Sequence, residues 1–235
     1  MNIVNRLEDT LNGGYGGLYG EVVTCDTYRL RQMEFKPDII FDIGANVGIF
    51  SRFARSLFPN ARIIAVEPDP ENAAHFRKFT QDPNTHLMEY ALGSGQIFHG
   101  TTAVNGAHET YLSVGGLGYP DKLVREATAA AASNIMVLSN VPSLLLTEIL
   151  EQYWKPGTKA LLKVDCEGAE NCIWQHKPSM KALSQIDYIA MELHDYALTS
   201  DDRVKVLEET NKALHALEQT HICTREGVNF WATKK

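Results

Sequence analysis

Apolar and polar positions along the chain follow two rhythms. Short apolar runs predict strands buried on both faces of a parallel sheet: DIIFDI (38–43), RIIAVE (62–67), THLMEYAL (85–92), ALLKVD (160–165) and IDYIAMEL (186–193). Between them apolar residues recur at helical spacing. Phe50, Phe53, Ala54 and Leu57 make one inner stripe. Asp69 caps and Pro70 opens a second helix, with Ala73, Phe76 and Phe79 facing inward. Residues 143–153 predict a helix capped by Ser143, and Ala169, Cys172, Ile173 and His176 mark another. Thr199 or Ser200 caps a long helix with Asp201 and Asp202 in its first turn, where the helix dipole favours carboxylates. HICTR, a Glu226–Gly227 turn and VNFWAT predict a closing antiparallel pair. Strands alternating with helices mean an α/β fold with right-handed crossovers, here expected as one domain over residues 1–235.

Two stretches break the rhythm. Within the first 35 residues, Ile3, Val4, Leu7 and Leu11 predict a short amphipathic helix. NGGYGGLYG (12–20) then predicts a loop, either a plain linker or a flap near a site. Residues 96–141 form an insertion too long for a structureless connection. A hairpin plus an irregular cover over one edge of the sheet is expected there. Its ATAAAAS run (127–133) favours helix, whereas the glycines before it favour mobility.

Composition narrows the function classes. The chain has 235 residues, 44% hydrophobic and 22% charged, the make-up of a packed globule. Twenty-two Lys and Arg against 29 Asp and Glu leave a net charge of −7. That balance argues against a nucleic-acid partner, because phosphate backbones are held by basic surfaces. Nowhere do about 18 apolar residues run together, so no membrane span is expected. The opening MNIVNRLEDTLNGG does not read as a signal peptide. Cys25, Cys166, Cys172 and Cys223 form no CxxC pair, and free thiols in a reducing cytoplasm are the expectation.

Open parallel sheets bind ligands outside the carboxyl ends of their strands. Those ends read Asp42-Ile-Gly44-Ala45-Asn46-Val-Gly48, Glu67-Pro-Asp69, Tyr90-Ala91-Leu92, Asp165-Cys-Glu167-Gly168 and Glu192-Leu-His194-Asp195. Four of the five carry carboxylates, which a purely structural sheet has no reason to collect there. Gly44 admits a ligand to the backbone, and Gly48 lets the next helix pack close to the strand. Glu67 lies 23 residues past Gly44, where an acid accepts hydrogen bonds from ribose hydroxyls. This pairing fits a nucleoside ligand, NAD or S-adenosylmethionine. In GANVG the middle glycine of the dinucleotide fingerprint is replaced by Asn46, which crowds a pyrophosphate. S-adenosylmethionine has no diphosphate to seat, and Asp42 supplies an acid for it.

FDIGANVGIFS (41–51), VEPDPENAAHFRKF (66–79), ALGSG (91–95), LLKVDCEGAE (161–170) and AMELHDY (190–196) occur in this order. With these blocks the chain resembles the FkbM family of class I S-adenosylmethionine-dependent methyltransferases over about residues 36–196, the insertion excepted. The resemblance implies a Rossmann-like, mostly parallel seven-stranded sheet with helices on both faces and a C-terminal antiparallel pair. It implies methyl transfer to hydroxyl oxygens of sugars, glycans or secondary metabolites. Asp42, Gly44, Ala45, Asn46 and Gly48 would line the methionine and ribose side of the cofactor, Glu67 would hold the ribose, and Ala91 and Leu92 would flank the adenine. VPSLLLTEI (141–149) and the insertion depart from the family pattern, so the acceptor does not follow from it.

A sugar hydroxyl needs a base to take its proton. Asp165, Glu167, Glu192 and His194 end neighbouring strands and can converge on one point. His194 is the expected base, because an ordinary imidazole titrates nearest neutral pH. Asp165 or Glu192 would then orient it or hold the acceptor. Against this, Glu167 and Glu170 can simply cap the next helix. No resident metal is expected, although three carboxylates and a histidine are also ligands for Mg²⁺ or Mn²⁺. N-methylation, a metal-assisted reaction, an NAD-dependent oxidoreductase and a non-catalytic nucleoside-binding module stay open.

Overall fold

The computed structural model describes residues 15–93, 97–104, 107–114, 136–155, 157–194 and 200–235, without the side chains of 97–104, 107–114, 136–141 and 200–203. Seven strands form the main sheet: β1 (Ile39–Ile43), β2 (Arg62–Val66), β3 (Thr85–Met88), β9 (Ala160–Val164), β10 (Tyr188–Glu192), β11 (His221–Glu226) and β12 (Asn229–Lys234). Their spatial order is β11-β12-β10-β9-β1-β2-β3. β3, β2, β1, β9 and β10 run parallel, and β12 pairs antiparallel with both β10 and β11. From central β1 the chain winds outward through β2 and β3, then returns to start β9 on β1's other side. The strand order therefore reverses between β1 and β9, the switch point beyond whose strand ends open parallel sheets bind ligands.

Both faces of this sheet are covered, which is why its central strands read as continuous apolar runs. All five residues of β1 and of β9 are buried. Ile39, Phe41 and Ile43 pack with α4 (Leu146–Tyr153), α5 (Asn171–Gln175), α6 (Lys177–Leu183) and α7 (Ser200–Leu217), through residues such as Ile149, Ile173, Leu183 and Leu214. Ile40 and Leu161 face the other way, toward Phe50 and Phe53 of α2 (Ile49–Leu57). On that same side Phe76 of α3 (Pro70–Phe79) packs on Ala45 and Ala65. Asp69 caps α3 as expected, its carboxylate accepting from the backbone N–H of Glu71 and Asn72.

Several expectations need correction. The run 85–92 is not one strand: it breaks after Met88, and Ala91–Leu92 forms β4, paired in a separate small sheet with β8 (Ser143–Leu144). Main-sheet pairing stops there because β2 ends at Val66. Ser143 is consequently a strand residue, and α4 starts three residues later. The Glu148 carboxylate accepts from the Leu145 N–H at its start. One helix was expected after residue 169, but α5 and α6 meet at His176, where Pro178 opens the second.

The Gly/Tyr-rich segment is helical from Gly16: α1 (Gly16–Tyr19) continues as a π-helical turn over Gly20–Thr24, followed by a 3-10 turn over Leu30–Gln32. Tertiary burial of Tyr15, Val22, Val23, Tyr28 and Leu30 outweighs the helix cost of its glycines. The insertion contains the expected hairpin, β5 (Ile97–Val104) with β6 (Ala107–Val114), joined on β5's free edge by β7 (Met136–Val141). The helix expected over 3–11 and the alanine run 127–133 lie outside the described residues, as does Asp195. Among the described residues no helix is long and apolar enough to cross a membrane.

Candidate active site

The turn after β1 is shaped by its neighbours as well as by any ligand. Gly44 has φ +78°, and a Cβ built there would sit 1.7 Å from the backbone carbonyl oxygen of Asp165. Close approach of the β9 end, not of a ligand, makes this position glycine. Gly48, at φ +87°, would drive a Cβ to 2.7 Å from the Phe76 ring, so it spaces α2 from α3 and not from a strand. Asn46 is also left-handed, at φ +48°, a conformation Asn tolerates by local hydrogen bonding; its Oδ1 accepts from the Val47 N–H at 2.7 Å.

Glu67 ties the first two strand ends together. Its Oε2 accepts from the Asn46 N–H at 2.7 Å and its Oε1 from the Asp69 N–H at 2.9 Å. The residue is only 4% exposed, and burial pushes its carboxyl up to about 7, partly offset by those amides. Asp42, expected beside the cofactor, is fully buried and faces away from open space. Its Oδ2 accepts from the Ser51 hydroxyl at 2.6 Å, and its Oδ1 lies 3.4 Å from Lys163 Nζ. Burial raises its carboxyl, with Lys163 and Ser51 acting in opposition. Ala91 and Leu92 are likewise buried, in β4.

The acids at the ends of β9 and β10 do converge. His194 Nε2 stands 3.6 Å from Glu192 Oε1, 3.7 Å from Glu167 Oε2 and 3.9 Å from Asp165 Oδ1. These three carboxylate side chains are about a quarter exposed, whereas that of His194 is 3% exposed. Glu170, a buried residue, fixes the ring from behind: its Oε1 accepts from the His194 backbone N–H at 2.6 Å and lies 3.0 Å from Nδ1. Its other oxygen accepts from the Gly168 N–H.

This environment removes the reason for taking His194 as base. Burial works against a charged ring, but the Glu170 hydrogen bond and the carboxylates of Glu170, Glu167 and Asp165 outweigh it and raise the imidazole to about 10. At neutral pH the ring already holds its second proton and has no lone pair to offer. The Glu192 carboxyl is instead brought toward neutrality, since burial, then Asp165, push it up to about 7. The Asp165, Glu167 and His194 donor atoms all lie within 4.8 Å of one another, a set that a divalent cation could share only by displacing the second proton of the imidazole.

Three contributors were not among the expected site residues. Tyr28, from the N-terminal segment, donates its hydroxyl to Asp165 Oδ2 at 2.8 Å; nothing in a tyrosine's local sequence announces a partner 137 residues away. Glu170 offers itself in the sequence only as a helix cap. Lys163 was readable in principle, as a lysine inside the otherwise apolar run ALLKVD.

Comparison with known proteins gives a consistent result. The family model described as the methyltransferase FkbM domain matches residues 42–217. The 31-O-demethyl-FK506 methyltransferase FkbM of Streptomyces tacrolimicus is 39% identical over 61 residues, 26% of this chain and 24% of that protein. The methyltransferase sdnD of Sordaria araneosa is 38% identical over 53 residues, 23% of this chain and 20% of its own. The matched stretches thus span under a quarter of either relative. A solved structure assigned as an rRNA methylase of Clostridium thermocellum aligns over 90% of this chain and 94% of that chain, with TM-score 0.50 and 10% identity, a likeness of fold alone.

Proposed function

The chain belongs to the FkbM methyltransferase family, and from that premise we propose that it moves a methyl group from S-adenosylmethionine to a hydroxyl oxygen of a sugar, glycan or secondary metabolite. The observation carrying this reading is the meeting of two parts at the β1/β9 switch point. The 44–48 turn and the acids of the β9 and β10 ends share it, with Gly44 pressed on the Asp165 carbonyl. The name of the Streptomyces relative, a 31-O-demethyl-FK506 methyltransferase, places its own methyl on oxygen.

The residues fit the cofactor. Glu67 Oε2 accepts from the Asn46 N–H and has a second lone pair for a ribose hydroxyl, while Oε1 is already engaged by the Asp69 N–H and, at 3.5 Å, by Asn72 Nδ2. Gly44, Ala45, Asn46 and Gly48 form the cradle, with Ala91 and Leu92 as buried support on the adenine side and Asp42 as support behind the turn. The cofactor supplies an electrophilic methyl carbon on a sulfonium. The protein has to align the acceptor oxygen and take its proton. Glu192 is the proposed base, being the carboxylate of the rim whose affinity for a proton is raised to about 7. Asp165 and Glu167 hold the acceptor, and the His194 imidazolium steadies all three carboxylates.

Calorimetry with S-adenosylhomocysteine tests the cofactor. Binding is expected, together with a loss of about tenfold or more in Glu67→Ala, since hydrogen bonds to a charged acceptor contribute about 1.5–3 kcal/mol each. An unchanged Glu67→Ala, or tight NAD binding in its place, overturns the assignment. Labelled S-adenosylmethionine offered to a panel of glycan and metabolite hydroxyls then tests transfer, with product analysis separating O- from N-methylation. The donor spacing of Asp165, Glu167 and His194 favours an EDTA arm in the same screen, where loss of transfer would establish a metal-assisted reaction.

A further inference from the structure

Lys163 is a charge where the fold needs none. It sits in central β9, its side chain 3% exposed, in a strand otherwise made of Ala, Leu and Val. Lysine is almost never buried unless paired, and a buried ion pair is often no more stabilising than apolar residues of the same volume. Stability alone therefore does not account for the Lys163–Asp42 pair.

The partners of Nζ suggest what does. It donates to the Gly44 carbonyl at 2.6 Å and lies 3.4 Å from the Ile43 carbonyl, 3.4 Å from Asp42 Oδ1 and 3.6 Å from Asp165 Oδ2. Gly44 stands one residue beyond the end of β1, at positive φ. Its N–H bonds to the Val66 carbonyl on one side, and its carbonyl turns to Lys163. The same Asp165 oxygen, in turn, accepts from the Tyr28 hydroxyl at 2.8 Å. The rings of Tyr28 and Phe50 stand 5.6 and 5.8 Å from Nζ and wall the ammonium in.

We propose that Lys163 is a positioning residue that clamps the Gly44 turn to the Asp165 end of β9, so that the cofactor cradle and the acidic rim keep one relative placement. The inference rests on the reading of residues 44–48 as the cofactor cradle. Lys163 itself touches no ligand. Burial acts to discharge it, but Asp165 and Asp42 outweigh burial and keep the ammonium charged.

The test compares wild type, Lys163→Met and the double variant Asp42→Asn/Lys163→Met by thermal unfolding and by calorimetry with S-adenosylhomocysteine. Lys163→Met alone is expected to lower Tm, because Asp42 is left buried without its cation. The double variant removes both charges and is expected to regain most of that Tm while binding at least tenfold more weakly than wild type. Asp42 is fully buried, and Asp42→Asn keeps a side-chain oxygen for the Ser51 hydroxyl, so that weakness belongs to the loss of the Lys163 clamp. A folded double variant that binds within twofold of wild type overturns the proposal. If the double variant does not fold, wild-type protein carrying ¹³Cε-lysine decides: the Lys163 signal, shifted from the exposed lysines, should move on saturation with S-adenosylhomocysteine, and an unmoved signal overturns the clamp. Wild type that binds no S-adenosylhomocysteine sinks the cradle reading and this inference together, whereas wild type that binds leaves the other outcomes to judge the clamp alone.

Discussion

Gly44 concentrates the constraints on this site into one missing methyl group. A Cβ there would overlap the Asp165 carbonyl oxygen, a backbone atom that cannot rotate away, and φ +78° is strained for any other residue. Gly44→Ala should therefore cost about 3 kcal/mol or more, combining overpacking with a left-handed backbone. Denaturant unfolding checks this, and a loss below about 1 kcal/mol would mean that β9 can retreat. At the rim, Glu192 governs a different observable. Ionised Glu192 is the form that accepts a proton, so transfer to an acceptor found by the label screen should rise with pH through about 7 and then level. Glu192→Gln should remove that limb and reduce the rate by about 10²–10⁴-fold. A rate limb that persists in Glu192→Gln would take the role of base away from Glu192.

Among the elements, the helical turns of residues 16–32 lie outside the stretch matched by the family model, yet they reach the site. Asp26 accepts from the Leu30 and Arg31 N–H groups, the Trp231 indole donates to the Thr27 carbonyl, and Tyr188 donates to the Tyr28 carbonyl. These bonds fix Tyr28 against Asp165. Tyr28→Phe should cost about 1 kcal/mol in urea unfolding, less than a fully buried charged hydrogen bond because water can reach the quarter-exposed Asp165. The parallel strands and the Asp69–Pro70 helix start were legible because burial on both faces and helix capping write themselves into neighbouring residues. The convergence of Asp165, Glu167, Glu192 and His194 followed from the strand ends alone. Other features answer to distant partners. The helical state of Gly16–Thr24 depends on burial against α2, the split of 85–92 on where β2 stops, and the charge on His194 on Glu170 behind it. Local pattern contains none of these.

For the molecule as a whole, the site makes stability depend on pH in one direction. Glu67 and Glu192 each rise from an ordinary 4.5 to about 7 on folding, so the folded chain binds more protons than the unfolded one between those values. Their effect is to make the protein lose stability as pH climbs from about 4.5 to 7. His194 rises from 6.5 to about 10, so its contribution is complete below 6.5 and is lost as pH climbs toward 10. Asp82, held low by Thr85, Asn84 and Arg55 in spite of its burial, contributes stability that disappears only in acid. The ligand-free protein should accordingly show its highest Tm at about pH 4–4.5 and a steady decline toward pH 10, measured by scanning calorimetry. S-adenosylhomocysteine should alter that curve in a defined way. Ribose hydroxyls donated to Glu67 favour its ionised form, so affinity should increase between pH 5.5 and 8, and the bound protein should lose less Tm over that interval than the free one. Parallel curves for free and bound protein would show that Glu67 does not change its protonation on binding, and would take the ribose away from it.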